Sequence, residues 1–390
     1  MSDGRLRRWI LALLPLGLLA LLLVAIVELE PAERLRGDAP PVEELVFERV
    51  ELGSEGIVAH VLNDGPDPVT IAQVMVDEAY WSFSQEPEGP LDHLDSATVR
   101  IPYPWVEGEA HEVVLVSRTG VTFEHPIEVA VETPRPDASL FGLFALIGTY
   151  VGVLPVAIGL LWYPLVRRLG RSGLDFVLAL TVGLLLFLLV DTFHEGLEAA
   201  EAVPRSLQGL MLLVFAALAA YFVVDGIGSR LKGHGRSSSS PWMMALLIAV
   251  GIGLHNFGEG LAIGAAFALG ELALGTLLIL GFTLHNTTEG LAIVAPLSEE
   301  RAGIPRLFLL GAVAGLPTIA GAWLGGFLYS PVWAALFLGV GAGAIAQVVV
   351  QIGRSMTRDR TPGDLLGTLP VASGLAVGVA VMYVTGTLVG

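Results

Sequence analysis

The chain contains no cysteine. Disulfide bonds and thiolate metal ligands are therefore both excluded, and any metal site has to use His, Asp, Glu, Asn, Gln or backbone oxygen. Charged residues are also scarce, at 15% of the 390 residues, whereas apolar residues make up 54% and the mean hydropathy is +0.71. This composition is too apolar for an ordinary soluble domain, so most of the chain is expected to lie in a lipid bilayer.

A long apolar run follows a basic N-terminus. Three arginines among the first eight residues precede an uninterrupted run from Trp9 to Val27, which is long enough to cross a hydrocarbon core of about 30 Å. A secretory signal peptide usually has a shorter apolar region that ends in small residues at a cleavage site. No such residues precede Glu28, so residues 1–28 are predicted to form an uncleaved transmembrane anchor, with a signal peptide as the alternative.

Residues 29–137 have a different pattern. Short alternating segments rich in Val and Ile are separated by Pro and Gly, as is typical of β-strands joined by turns. An extracytoplasmic all-β sandwich of six or seven strands is predicted, with a turn at Asn63-Asp64-Gly65. Its four histidines have no ligand-like spacing and are expected to be surface residues. The predicted strands are Ile57–Leu62, Val69–Val76, Ala97–Ile101, Glu112–Val116 and Ile127–Val131.

Eight further apolar spans predict an all-α membrane bundle over residues 138–390. Lys and Arg are concentrated at the N-terminus and in alternate connections, and basic connections stay in the cytoplasm. A multi-pass cell-membrane protein is predicted, with its N-terminus inside and both the sandwich and the C-terminus outside. The predicted spans are 139–165, 174–199, 206–230, 241–269, 272–297, 306–329, 331–353 and 365–389.

Two of these spans carry a repeated motif of ionisable residues. His-Asn-Phe-Gly-Glu-Gly at 255–260 in the fourth span is matched by His-Asn-Thr-Thr-Glu-Gly at 285–290 in the fifth. An ionisable side chain at mid-membrane depth costs about 2.5–3.5 kcal/mol on insertion scales, so it needs a partner or a purpose. Because a short connection at Gly270-Glu271 joins the two spans, they are expected to run antiparallel and to bring the motifs together at the midplane.

The paired motifs predict a metal site between the two spans. Two close carboxylates repel each other in a low dielectric unless a divalent cation lies between them. Nitrogen and oxygen ligands without sulfur fit Zn(II), and also Fe(II), Mn(II), Co(II) or Ni(II). A structural His-Glu network is the alternative, but it needs neither matched spacing nor two carboxylates. The predicted ligands are His255, Asn256, Glu259, His285, Asn286 and Glu289.

A second set of polar residues is predicted to line the path of the metal. In the second span, Asp191, His194 and Glu198 share one helix face, whereas Glu195 turns partly away. These residues lie toward the outer end of the span. They fit a vestibule for the approaching metal, and they also fit an ordinary polar helix end. The full set of predicted pathway residues is Asp191, His194, Glu195, Glu198, Thr318, Gln347 and Gln351.

The paired motifs resemble those of the ZIP metal-transporter family, especially its GufA-like branch, in which the fourth and fifth helices read His-Asn-x-Pro-Glu-Gly. The resemblance covers about residues 140–390. It implies an eight-helix bundle, import of the metal, and metal binding by both motifs. Gly258 and Thr288 replace the motif prolines, so any kink there has to come from glycine or from threonine back-bonding.

The resemblance also bears on the number of metal ions. Thr318 stands where the family's sixth helix usually presents a Glu, and Gln347 and Gln351 stand where acidic residues are often found in the seventh. One principal metal site is therefore expected, rather than a two-metal centre.

Two other functional classes stay open. An intramembrane metal-dependent hydrolase would use the same ligands with a carboxylate that activates water. A metal sensor or scaffold would bind metal without flux. The expected partners are the divalent ion, as cargo and not as a cofactor, and the lipid bilayer; no catalytic residue and no nucleic acid are expected, and dimer formation stays open.

Overall fold

The computed structural model describes residues 13–15, 17–22, 24–25, 40–133, 137–233, 240–268, 272–328, 330–357 and 362–387. The chain divides into two units, Met1–Glu43 and Glu44–Gly390. The first unit contains a short apolar helix, Leu13–Leu22, and most of the predicted anchor lies outside the described residues. The connection predicted at Gly270-Glu271 also lies outside them.

The second unit begins with a β-sandwich of two four-stranded antiparallel sheets. The strands are β1 (Leu45–Gly53), β2 (Gly56–Asn63), β3 (Ile71–Val76), β4 (Ala79–Trp81), β5 (Ser84–Glu86), β6 (Ser96–Ile101), β7 (His111–Ser117) and β8 (Thr122–Ile127). The strand orders are β1-β2-β6-β5 and β4-β3-β7-β8. Alternate residues point into the core, as Ile57, Ala59 and Val61 of β2 do, because successive side chains of a strand face opposite sides.

The sandwich differs from its prediction in two ways. The described residues contain eight strands, whereas six or seven were predicted. The charged strand β1 and the three-residue strands β4 and β5 were not predicted, because their sequences show no clear alternation. The strand predicted at Ile127–Val131 is wrong: the strand is β8, which contains Pro126 and lies at the edge of its sheet. Proline is tolerated there because an edge strand has one side without ladder hydrogen bonds.

The rest of the second unit is a helical bundle. Its long helices are α1 (Ala138–Val166), α2 (Arg171–Glu201), α3 (Gly209–Gly233), α4 (Pro241–Ala268), α5 (Leu272–Val294), α6 (Ile304–Leu328), α7 (Pro331–Met356) and α8 (Leu369–Gly386). A π-helical turn, Thr149–Val153, interrupts α1. Among the described residues, seven of these helices are long and apolar enough to cross a membrane, and α8 is shorter.

Glycines bring certain helices into backbone contact. A Cβ placed on Gly321 of α6 would lie 2.0 Å from the Phe257 carbonyl oxygen of α4. A Cβ on Gly343 of α7 would lie 2.0 Å from the Ala217 oxygen of α3. Contacts of this kind also join α5 to α1, α1 to α6, and α8 to α2. Small residues that allow such approaches are typical of helix packing in membranes.

These backbone contacts, together with the broad packing of α7 on α2, divide the bundle into two groups. The first group is α1, α4, α5 and α6, and the second is α2, α3, α7 and α8. Between α4 and α7, the glycine contacts are with side chains or are longer. Gly258 meets the Leu338 side chain and Gly251 meets the Val348 side chain, so this boundary lacks the interlocked backbones found inside each group.

The sandwich is attached to one end of the bundle. The Asp64 carboxylate accepts hydrogen bonds from the backbone N–H of Arg205, at 2.5 Å, and of Ser206, at 3.1 Å, and from the Ser206 hydroxyl. Arg49 donates to the Phe327 carbonyl oxygen at the end of α6, at 3.4 Å. The sandwich therefore contacts both helix groups, at what we call the sandwich end of the bundle.

Replacing Asp64 by Ala is expected to loosen this attachment. The change removes the acceptor for three donors at the turn between α2 and α3, and loss of a comparable helix-capping residue costs about 0.5–2 kcal/mol. Thermal unfolding should begin at a lower temperature, and limited proteolysis should cleave the turn at Arg205 sooner. The exposed substitution Glu88→Ala is the control. Unfolding and proteolysis identical to the control would contradict the contact.

Candidate metal centre

The centre lies where α4 and α5 cross the middle of the bundle side by side. Hydrogen bonds pair Asn256 with Glu289 and Glu259 with Asn286, so the residue numbers rise along one helix as they fall along the other. The two helices are therefore antiparallel, as the sequence predicted. Glycines at the ends of both motifs, Gly260 and Gly290, let α6 and α1 approach the centre closely.

Two histidines converge on one carboxylate oxygen. His255 Nε2 lies 3.1 Å from Glu259 Oε1, and His285 Nε2 is hydrogen-bonded to the same oxygen. One ligand atom from each of the three residues lies within 4.8 Å of the others. All three side chains are buried, with exposures of 2%, 0% and 5% for His255, Glu259 and His285. Two imidazole nitrogens and a carboxylate form a suitable partial ligand set for a divalent transition metal.

Each asparagine holds the glutamate of the other motif. Asn286 Nδ2 donates to Glu259 Oε2 at 2.8 Å, and Asn256 Nδ2 donates to Glu289 Oε2 at 3.1 Å. Each Nδ2 also donates to a backbone oxygen of a neighbouring helix, Ala314 in α6 for Asn256 and Val151 in α1 for Asn286, both at 3.1 Å. Both N–H groups of each amide are therefore used in hydrogen bonds that hold the site together. The amide oxygen of each asparagine remains as an acceptor.

The bundle buries several oxygen atoms without a hydrogen-bond donor. Leaving a buried polar atom unpaired costs about 1–3 kcal/mol, and a cation can satisfy carboxylate and amide oxygens. Every one of these side chains was also predicted from the sequence as a ligand or pathway residue. Within the described part of the bundle, the unpartnered atoms are Glu195 Oε2, Asn256 Oδ1, Asn286 Oδ1, Glu289 Oε1, Thr318 Oγ1 and Gln347 Oε1.

A cavity of about 350 Å³ opens beside the centre, in the half of the bundle toward the sandwich end. Glu195 and Glu198 of α2 line one side of the cavity. A face of α4 that begins at Gly258, in the middle of the first motif, lines another side. The lining residues are Glu195, Glu198, Ala199, Gly258, Leu261, Ala262, Ala265, Ala266, Leu274, Leu278, Ala334 and Leu338.

The predicted pathway residues of α2 differ in burial. His194 and Glu198 lie 3.5 Å apart with side chains that are 71% and 70% exposed, whereas Glu195 buries Oε2. Glu195 therefore lies on a different part of the helix surface from His194 and Glu198, as predicted, and its part of the surface is the buried one. Asp191 is half-buried and is not part of the histidine-carboxylate cluster.

The remaining predicted pathway residues lie on α6 and α7. Thr318 is fully buried, with its hydroxyl against Gly152 of α1. Gln347 is 3% exposed and donates to Gln351 Oε1 at 3.1 Å. Neither helix adds a member to the cluster of His255, Glu259 and His285 within the described residues.

The proline replacements have separate local effects. Thr288 Oγ1 donates to the His285 carbonyl oxygen at 2.6 Å, so the expected threonine back-bonding occurs in α5. Gly258 instead makes room for the Leu338 side chain, which would lie 2.9 Å from a Cβ at that position.

Some contributors to the centre were missed in the sequence. Thr192 of α2 is fully buried, and its Oγ1 lies 2.7 Å from His255 Nδ1. The only available signal was its spacing of three residues from Glu195, which places the two on the same helix face. The contribution of the Val151 and Ala314 carbonyl groups could not be predicted, because every residue has a backbone carbonyl group.

The four histidines of the sandwich are not grouped. Among the described residues, each has its own partner: Glu51 for His60, the Gly65 carbonyl for His93, Asp77 for His111, and the Phe47 ring for His125. His111 is buried, so the prediction of a surface residue is wrong for it. Burial lowers the pKa of His125.

The fold and the centre together define a class: a helical bundle of membrane-spanning type with a buried cluster able to hold a metal ion. No protein-family model matches the chain. The chain is similar to the zinc transporter GufA of Myxococcus xanthus, with 38% identity over 84 residues. This segment is 21% of the chain and 31% of the relative, so the chain spans less than a third of the length of that curated protein.

Proposed function

We propose that the chain is a divalent-metal transporter related to the ZIP family, which moves Zn(II) or a similar transition metal across a membrane. The observation that carries this proposal is the buried cluster of His255, Glu259 and His285 between two helices of a membrane-type bundle. A soluble metalloprotein has no need of such a bundle, and a structural polar network has no need of unpartnered buried oxygens. The partial similarity to a zinc transporter supports the same conclusion.

The proposed route begins in the cavity at the sandwich end. An ion would meet Glu198 and Glu195, pass to the centre between α4 and α5, and leave past Gln347 and Gln351 at the opposite end. The alternating exposure of a midplane site requires parts of the bundle to move against each other. The boundary between the two helix groups is the plausible plane of that motion, since it lacks interlocked backbones.

Orientation and domain division are part of the proposal. Residues 1–28 would anchor the chain, residues 29–137 would form an extracytoplasmic domain, and residues 138–390 would form an eight-helix transport domain in the cell membrane. The basic connections support an N-terminus inside and a C-terminus outside. Import as the direction of transport rests on the family resemblance alone.

The test is flux of radiolabelled zinc and manganese into proteoliposomes that contain the purified full-length chain. We expect uptake of at least one of the two ions above that of empty liposomes. Absence of flux for every divalent cation, under every gradient, would refute the proposal. Metal binding without flux would then favour a sensor or scaffold, and metal-dependent hydrolysis without flux would favour an intramembrane hydrolase.

Flux is expected to fall as the pH is lowered through the range in which the imidazoles of the site become protonated. Protons compete with the metal for His255 and His285, and a ligand has to lose its proton to bind. The measurement is zinc flux at a series of pH values with equal pH on both sides. His93→Gln should leave the profile unchanged, because His93 is an exposed residue of the sandwich and outside the cluster. Flux that rises at acid pH would contradict the prediction and indicate proton-coupled entry.

A further inference from the structure

Thr192 of α2 reaches the metal centre from the other helix group. Its side chain is fully buried, and its Oγ1 makes two contacts of 2.7 Å. It donates to the Leu188 carbonyl oxygen one turn earlier in the same helix, and it lies against His255 Nδ1. No other side chain of the described residues is hydrogen-bonded to His255 Nδ1.

The two contacts of Thr192 determine where the proton of His255 lies. A threonine hydroxyl has one hydrogen, and Thr192 donates it in a hydrogen bond to the Leu188 carbonyl oxygen. The contact with His255 therefore requires Nδ1–H to donate and Oγ1 to accept. A neutral imidazole with its proton on Nδ1 carries a lone pair on Nε2. Without metal, Nε2 lies 3.1 Å from Glu259 Oε1 in a hydrogen bond that the carboxylate accepts; a metal ion would replace the Nε2 proton and would be ligated by that lone pair, with Nδ1–H still donating to Thr192.

We propose that Thr192 is a positioning residue for the metal centre, which holds His255 in the tautomer whose Nε2 is free to bind the ion. This inference rests on the proposed function. Metal-ligating histidines commonly donate their second N–H to a neighbouring acceptor, and removal of that acceptor typically weakens metal binding about 10–100-fold. Since Thr192 belongs to α2 and His255 to α4, the two helix groups both contribute to the site.

The test compares two substitutions at Thr192 with a matched control. Thr192→Val has nearly the same shape but no hydroxyl, whereas Thr192→Ser keeps the hydroxyl. The control is Thr181→Val. Thr181 lies in the same helix, is also fully buried and makes the same kind of back-bond, to the Val177 carbonyl oxygen at 2.9 Å, but it does not contact the centre.

Zinc affinity is measured by competition with a fluorescent chelator on the full-length protein in detergent, and KM by zinc flux in proteoliposomes. Thr192→Val is expected to weaken zinc binding about 10–100-fold and to raise KM in parallel, with thermal unfolding like that of Thr181→Val. Thr192→Ser is expected to restore the wild-type affinity, because its hydroxyl can accept from Nδ1–H.

The outcomes separate this inference from the proposed function. Wild-type protein that neither binds nor moves any divalent cation would overturn both. If the wild-type protein transports the ion and Thr192→Val and Thr181→Val bind zinc equally well, the proposed role of Thr192 is overturned. The proposed transport function is then unaffected. A Thr192→Ser protein as weak as Thr192→Val would also overturn it.

A measurement on the wild-type protein covers the case in which Thr192→Val does not fold. Nitrogen-15 NMR of the zinc-loaded protein distinguishes Nε2-bound zinc with Nδ1–H from the reverse arrangement, and His255→Gln assigns the signals of His255. Nε2 ligation with a protonated Nδ1 is the expected result. Nδ1 ligation would overturn the proposal.

Discussion

The substitution Glu259→Gln is expected to reduce zinc flux on the order of 100-fold or more. Glu259 Oε1 contacts both histidines, and Oε2 accepts from Asn286. Gln presents an NH₂ group in place of one of these oxygens, so the site loses either the oxygen that faces both histidines or the oxygen that accepts from Asn286 Nδ2. Removing one member of a buried charged network costs about 3–5 kcal/mol, and each 1.4 kcal/mol corresponds to about a factor of ten in binding.

The measurement is flux of radiolabelled zinc and manganese in proteoliposomes, with size-exclusion chromatography as the check on folding. Glu201→Gln is the matched control, because Glu201 is an exposed carboxylate near the end of α2. A Glu259→Ala/Glu289→Ala double variant removes both carboxylates of the centre. Flux equal to wild type in these variants would mean that the paired motifs are structural and that the ion pathway lies elsewhere.

Gly321→Ala is expected to have the largest effect on stability. The new Cβ would lie 2.0 Å from the Phe257 carbonyl oxygen, which is far too close for two atoms that are not bonded to each other. The neighbour is backbone, so α4 and α6 have to separate. Overpacking of this kind costs about 1–3 kcal/mol, and occasionally more. Because Phe257 lies inside the first motif, the shift should also disturb Asn256 and weaken zinc binding.

The matched control is Gly226→Ala in α3, where a Cβ meets nothing within 4 Å. Alanine is favoured over glycine in a helix by about 1 kcal/mol, so this change should leave the protein as stable as wild type or slightly more so. Thermal unfolding followed by fluorescence-detected size-exclusion chromatography measures both. Equal stability of the two variants would contradict the close packing of α4 on α6.

The long helices were predictable because their cause is local. An apolar run of more than 20 residues, bounded by Pro, Gly or charge, specifies a helix in lipid whatever its neighbours are. The spans predicted at 241–269 and 331–353 correspond to helices Pro241–Ala268 and Pro331–Met356. The short strands of the sandwich were less predictable, since a three-residue strand such as Ala79–Trp81 exists only because its partner strand is present.

The repeated motifs of the candidate metal centre could be predicted from the sequence, whereas the contacts that depend on packing between helices could not. Two copies of one motif in adjacent antiparallel helices have few ways to face each other, and the structure brings them together. Periodicity gives the relative positions of side chains around a helix, but not which side faces a given neighbour, so the burial of Glu195 could not be predicted from the sequence. Thr192 was hidden because a hydroxyl that bonds its own helix is ordinary in an apolar segment.

The exchange of amides between the two motifs gives the centre a near-twofold relation. Asn256 braces Glu289 as Asn286 braces Glu259, and the two helices run in opposite directions. The histidines do not follow this relation, because His255 and His285 both converge on Glu259, whereas Glu289 Oε1 has no hydrogen-bond partner among the described residues. The duplicated motifs therefore form a polar pair of sites: an ion meets a glutamate held by two histidines on one side and a glutamate with a free oxygen on the other. The unduplicated side chains Glu195 and Thr192, which approach from α2 alone, add to this difference.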